Sequence, residues 1–376
     1  MKHYILGDLI DEISERENNP STSGYERFVG LEHYVSGDLE IKKYGTTENL
    51  NSAMKVFKSG DILVARRNVY LKRASVVYFD GLTSGDSIVL RAKDETMARI
   101  LPFILNTSEF WEYADQYSDG TMSKRLSPKT LKAYEFDLPD DEELPALADL
   151  LWSMVDTKTA YEELLIKTDE LVKSQFIEMF GDPIKNDKNW EQVKLMDLGL
   201  LARGVSKHRP RNAVELLGGP YPLVQTGEVT NADTYITSYS STYSELGLKQ
   251  SKMWPKGTLC ITIAANIAQT SILTFEACFP DSVVGFVAGE RVETVFVHYW
   301  FSFLQSMLEA RATQVAQKNL NLKTLGDVEV IVPPVQLQRE FVNFTEQSDK
   351  SKFELQKSIE KINVLIKSVL YQAINE

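Results

Sequence analysis

The stretch LSPKTLKAYEFDLP at 126–139 returns, altered but recognisable, as LNLKTLGDVEVIVP at 320–333. Leu126, Lys129, Thr130 and Leu131 fall on Leu320, Lys323, Thr324 and Leu325, and Lys124 falls on Lys318, each 194 residues further on. The same offset carries Pro139 onto Pro333, and Leu171-Val172-Lys173-Ser174 onto Leu365-Ile366-Lys367-Ser368. Upstream it drifts, as loop insertions and deletions make it do. Lys58-Ser59-Gly60 meets Pro255-Lys256-Gly257 at 197, and Leu6-Gly7-Asp8-Leu9 meets Leu195-Met196-Asp197-Leu198 at 189. The chain is one module written twice, with variable interiors.

Each module begins with a mixed α/β part, residues 1–139 and 186–334. Short β-rich runs such as Asp61-Ile62-Leu63-Val64-Ala65, Ala74-Ser75-Val76-Val77-Tyr78-Phe79 and Thr258-Leu259-Cys260-Ile261-Thr262-Ile263 are separated there by Gly, Asn, Asp and Ser turns. A helix near Glu95 to Ala114, with a counterpart near Thr294 to Arg311, interrupts the strands. Each module closes with a segment, 140–185 and 335–376, that is free of internal glycine and proline over 146–180 and 335–376. Such stretches predict long helices. Leu144, Leu147, Leu151, Met154, Tyr161, Leu165, Val172 and Met179 alternate by three and four, and Leu355, Ile359, Ile362, Ile366, Val369 and Ala373 fall in the same register. Lys158, Thr168, Gln175 and Lys352 interrupt the stripe, the mark of a specified register. The expected fold is therefore α+β: two α/β domains alternating with two long helices that pair as an antiparallel coiled coil, with an internal pseudo-twofold repeat. About 35 helical residues make a rod of roughly 50 Å, enough to hold two domains more than a DNA turn apart.

The order and duplication of these runs resemble the specificity subunit family of type I restriction-modification systems over nearly the whole chain. The runs that carry the resemblance are Gly60-Asp61-Ile62-Leu63-Val64-Ala65-Arg66-Arg67-Asn68, Gly81-Leu82-Thr83-Ser84-Gly85-Asp86 and Gly120-Thr121-Met122-Ser123-Lys124-Arg125-Leu126-Ser127 in the first module. The second offers Tyr221-Pro222-Leu223-Val224-Gln225-Thr226-Gly227-Glu228-Val229 and Gln317-Lys318-Asn319-Leu320-Asn321-Leu322. Leu138-Pro139 and Val332-Pro333-Pro334 lead into the helices, and Phe180-Gly181-Asp182-Pro183 closes the first. The resemblance implies that residues 1–139 and 186–334 are target recognition domains, each reading one half of an interrupted double-stranded DNA site. Segments 140–185 and 335–376 would be spacer helices setting the gap. Two modification subunits, bringing S-adenosylmethionine and adenine methylation, would dock on this frame. Restriction subunits, bringing ATP and Mg, would add translocation and cleavage. The chain itself would be a non-catalytic, cytoplasmic protein that binds no cofactor or metal.

The residues agree with a non-catalytic role. There is no Gly-x-x-x-x-Gly-Lys-Ser/Thr phosphate loop. Pro333-Pro334 lies between Val332 and Val335 and lacks the Asn or Asp and the aromatic residue that an amino-methyltransferase would use. His3, His33, His208 and His298 are scattered, Cys260 and Cys278 lack metal or disulfide spacing, and Asp140-Asp141-Glu142-Glu143 complements the positive end of the helix it precedes. No apolar run is long enough to span a membrane.

A net charge of -12 runs against DNA binding, but residues 140–189 hold 5 basic against 13 acidic residues and so two-thirds of the excess. The large segments are nearly neutral and can carry local basic surfaces. Base edges are read by Arg, Lys, Asn and Gln offered from loops or helix starts. The candidates are Arg66, Arg67, Asn68, Lys72, Arg73, Lys124, Arg125 and Lys129 in the first module. In the second they are Arg203, Lys207, Arg209 and Arg211 around His208 and Pro210, with Asn266, Gln269, Lys318, Asn319 and Lys323. Partner and coiled-coil candidates are Leu151, Met154, Tyr161, Leu165, Val172, Leu355, Ile359, Ile362, Ile366 and Val369. The acidic balance leaves a second reading open, an interaction scaffold whose two domains bind proteins.

Overall fold

Asp61 to Ala65 places four aliphatic side chains in succession, and Ile62–Ala65 forms an inner strand with every side chain buried. The structure, a computed structural model, describes residues 1–121, 123–263, 268–312 and 321–375, with side chains for all but 306–312 and 375. Around this strand lies an antiparallel sheet in the order Ile10–Ile13, Ser87–Ala92, Ile62–Ala65, Ala74–Val76. The second module repeats it with Gly199–Arg203, Val283–Ala288, Leu259–Thr262 and Thr270–Leu273. A parallel edge strand, Tyr235–Ile236, extends that sheet, where the first module makes only the parallel bridge of Glu40 to Val76.

The second sheet of each module repeats too. Met54–Phe57, Gly81–Thr83, Arg27–Val29 and Gly45–Thr46 lie in that order, with Arg16–Glu17 added at the edge; Met253–Trp254, Ala277–Cys278, Leu217–Leu223 and Ser241–Tyr243 match them. In both modules one contact of this sheet is parallel, Phe28 to Leu82 and Leu223 to Cys278. A two-stranded clip joins the ends of each module, with Tyr4 opposite Phe136 and Val193 opposite Val330. These pairs reproduce the offsets of 189 and 194 seen in the sequence. Ser127 and Asn321, also 194 apart, both cap short helices, accepting from the N–H of Thr130 and Thr324. Cys260 and Cys278 are buried free thiols in this core.

One predicted helix divides. Instead of running from Glu95 to Ala114, the chain forms Glu95–Ile104 and Ser108–Gln116. Asn106 turns its amide back to the carbonyls of Pro102 and of Ala74 in the sheet, and the Thr107 hydroxyl accepts from Phe110 N–H, starting the second helix. The counterpart in the other module is a single helix, Thr294–Ala312.

The long helices are Leu144–Phe180 and Val335–Asn375. Pro145 sits in the first turn of one, where its missing N–H costs nothing. Gly181 ends that helix at φ +76°, donating to Ile177 O at 2.8 Å, and a Cβ there would collide with Asp187 Oδ1. The chain folds as two compact units, residues 1–162 with 356–376 and residues 163–355, so each long helix gives one part to each. In the first unit Leu144, Leu147, Ala148, Leu151 and Val155 share a core with Ile366, Val369, Leu370 and Ile374. In the second, Phe176 and Phe180 pack on Phe341 with ring centroids 5.3 and 5.5 Å apart, and Asp169 meets Lys352. Positions rise along one helix as they fall along the other, so the pair is antiparallel. Met154, Tyr161, Leu165, Val172, Leu355, Ile359, Ile362, Ile366 and Val369 are buried or half-buried at alternating spacings of three and four, as the heptad predicts.

Lys352, which interrupts the stripe, is 9% exposed, and its ammonium donates to Asp169 at 2.7 Å and to Asp233 from the α/β part of the second module. Burial alone would lower its pKa; the bonds to Asp169 and Asp233 outweigh that and raise it. It is thus the polar pin that joins both long helices to the domain. Lys352→Ala is expected to destabilise the second unit by about 1–2 kcal/mol in urea unfolding, less than for a fully buried pair because the carboxylates keep water contact. A loss under about 0.3 kcal/mol would show that the pin carries no stability.

Candidate nucleic-acid interface

Two basic segments far apart in the first module's sequence meet beyond the end of the inner strand Ile62–Ala65. Arg66 follows the strand Ile62–Ala65, and its N–H donates to Asp86 O while its carbonyl accepts from Leu126 N–H. Arg67 and Arg125 form an isolated antiparallel bridge, and Asn68 N–H donates to Lys124 O at 2.9 Å. Arg67, Asn68, Lys124 and Arg125 therefore belong to one surface. Asn68 Oδ1 accepts from Ser123 Oγ at 2.8 Å, and Arg67 Nε lies 3.5 Å from the same hydroxyl. Arg67 and Arg125 are exposed, while Arg66 is half-buried with its Nε unpartnered among the described residues. Asn68 and Lys72 hold left-handed backbone, φ +58° and +48°, at either end of the turn Val69–Leu71. Such strain persists only where the surroundings fix it, as they do here.

The remaining candidates of this module separate. Arg73 is buried, and its guanidinium donates to the carbonyls of Leu31 and Arg67 at 2.9 and 3.0 Å. This corrects its reading as a DNA contact: it braces the loop that presents Arg67. Lys72 is exposed and lines a cavity of about 840 Å³ with Asp38, Lys158 and Lys367. Lys124 reaches Asp115 at 2.6 Å, and Lys129 is exposed on the short helix Pro128–Lys132.

In the second module Arg203 ends an outer strand of the inner sheet, and Lys207, His208, Arg209 and Arg211 follow in an exposed loop with a cis bond before Pro210. The loop is held at its base, where Gln250 Oε1 accepts from the N–H groups of Lys207 and His208. Gln269 is half-buried and Lys323 exposed. Asn266, Lys318 and Asn319 lie outside the described residues. Two carboxylates that sequence reasoning passed over face the arginines. Asp86 Oδ1 accepts from Arg125 Nη2 at 2.7 Å, and Asp281 Oδ1 accepts from Arg211 Nη2 at 2.5 Å. The recurrence of Asp-Ser followed by two aliphatic residues, at 86–89 and 281–284, was the available signal.

No group of three or more His, Cys, Asp or Glu among the described residues could hold a metal ion. His298 sits beside Thr270 Oγ1 at 2.9 Å, and burial pushes its pKa down to about 4, so it is neutral. No helix among the described residues is long and apolar enough to cross a membrane.

Residues 187–365 match the family described as the type I restriction modification DNA specificity domain. The chain carries a type I restriction-modification DNA specificity domain. This domain spans the second module from its first strand into the second long helix. The whole chain has the fold of a type I S subunit. It resembles the S subunit of a type I restriction-modification system from M. genitalium at 13% identity, covering 100% of this chain and 96% of that one, with a TM-score of 0.55. It also resembles a chain solved in work on complex assembly and conformational transition of the type I R-M system. That match has 18% identity, 99% and 97% coverage and a TM-score of 0.60.

Proposed function

We propose that this chain is the DNA-reading subunit of a type I restriction-modification complex and recognises a bipartite site. Each module takes one half of the site, and the paired helices set the unspecified gap between them. The observation that carries the reading is the duplication: the strands of the module matched by residues 187–365 recur, apart from one edge strand in each module, in the first module. One chain then presents two basic loop surfaces of different sequence, which suits an asymmetric site. The long helices keep Leu150, Leu164, Ile166, Leu171, Phe353 and Val364 exposed, apolar surface that supports docking of partner subunits. Two modification subunits would bring S-adenosylmethionine and methylate adenine, and restriction subunits would bring ATP and Mg. The chain would contribute specificity alone, in the cytoplasm.

The test is a change of ruler length. Seven residues in heptad register are inserted between 162 and 163 and again between 355 and 356, where the two units divide. Each insertion adds about 10 Å of helix, so methylated adenines mapped in the host genome are expected to show a gap longer by about 3 base pairs. An unchanged gap rejects the helices as spacer. Retardation of duplex DNA that weakens with salt separates recognition from the protein-scaffold reading, and no retention at low salt favours the scaffold.

A further inference from the structure

We propose that Asp86 and Asp281 are matched positioning residues: they neutralise the arginines beside them, so that these side chains add to base discrimination and little to non-specific phosphate binding. The inference rests on the DNA-recognition reading above. Each aspartate holds a central place of the turn that precedes a central strand, Asp86 as the third residue of its turn and Asp281 as the second of its own. Ser84-Gly85-Asp86-Ser87 is closed by Ser87 N–H on Ser84 O at 3.1 Å, and Pro280-Asp281-Ser282-Val283 by Val283 N–H on Pro280 O at 3.0 Å. Each turn leads into the central strand Ser87–Ala92 or Val283–Ala288.

The arginines come from different places. Arg125 belongs to the segment just before the module's last short helix, whereas Arg209 and Arg211 stand in the loop after the strand Gly199–Arg203. Asp281 lies 2.5 Å from Arg211 and 3.6 Å from Arg209. A carboxylate at this turn is therefore the shared feature, and the cation it faces was recruited separately in each module. A copied surface ion pair would have kept both partners.

The physical consequence concerns long-range charge. Non-specific affinity grows with each cation that displaces a counterion from phosphate. A guanidinium held at 2.7 Å by a carboxylate presents almost no net charge beyond the pair, yet only Nη2 of Arg125 is engaged among the described residues. The other donors still fit a guanine edge, where geometry rather than net charge decides. The same two carboxylates are part of why a DNA reader carries an acidic balance.

The experiment compares the full chain with D86N and D281N, measuring binding to a mixed-sequence duplex over a range of salt. D86N and D281N are each expected to steepen the log–log salt slope by about 1, because each removes one negative charge from beside the arginines. Arg125→Ala in the D86N background should return the slope to its original value. Methylation mapping with D86N should show relaxed sequence preference in one half of the site only. Unchanged slopes in both variants, or a D86N gain that survives Arg125→Ala, would overturn the proposal. If the unsubstituted chain fails to bind duplex at low salt, the DNA-recognition reading itself falls.

Discussion

Phe176→Ala is expected to destabilise the second unit by about 3–5 kcal/mol, the usual loss when a large buried ring is removed. Phe176 is fully buried, and its ring centroid lies 4.8 Å from Phe180, 5.4 Å from Phe296, 5.1 Å from Phe303 and 5.3 Å from Phe341. These rings belong to three helices: the first long helix itself, Thr294–Ala312 and the second long helix. A void there cannot close by shifting one element, because each wall is anchored elsewhere. Leu370, at the matching place of the other long helix, is 7% exposed and fills the corresponding seat in the first unit. Ile177→Ala, at a side chain 38% exposed, is the control and should cost under about 1 kcal/mol. Urea unfolding with hydrogen exchange read separately over 1–162 and 163–355 would place the loss. A Phe176→Ala cost near that of Ile177→Ala would contradict the packing described.

Phe176 also shows where sequence reading stopped. The heptad pattern picks out Val172 and Met179 and treats Gln175 as an interruption, yet at this end of the helix the buried stripe widens to take in Phe176 and Phe180. The reason is physical. A helix that faces both a partner helix and its own domain buries more than the narrow seam of a free coiled coil. What depends on neighbours in sequence was legible: both long helices, the Gly181 stop and the repeated strands. What depends on tertiary meeting was not. Nothing local in Arg66 to Asn68 reveals that Lys124 and Arg125 will bridge to them, and Arg73 reads as one more surface cation although its guanidinium is taken by two backbone carbonyls. Lys352 was recognisable as an exception in the stripe, but its partner Asp233 lies 119 residues away in the domain.

If the proposed bipartite reading holds, replacing Arg66 and Arg67 together by Ala is expected to abolish discrimination at one half of the DNA site and leave the other half intact. Each well-placed bidentate contact to a base distinguishes it by about 1–3 kcal/mol, so losing two should cost on the order of 10²- to 10⁴-fold in affinity for the specific site. The loop should survive the change. Its order comes from backbone bonds that alanine keeps, Arg66 N–H to Asp86 O, Leu126 N–H to Arg66 O and Asn68 N–H to Lys124 O. The Arg73 brace beneath Arg67 likewise binds its carbonyl rather than its side chain. Loss of function would then report the missing guanidinium groups, and an unchanged melting profile would verify it. Two outcomes separate base reading from phosphate holding. If the arginines touch only phosphates, affinity falls alike for all sequences and the salt slope shrinks by about 2, whereas base readers leave the methylation motif relaxed in one half. Equal loss at both halves would reject modular reading, because it would mean that the first module's basic surface supports the whole site rather than its own part.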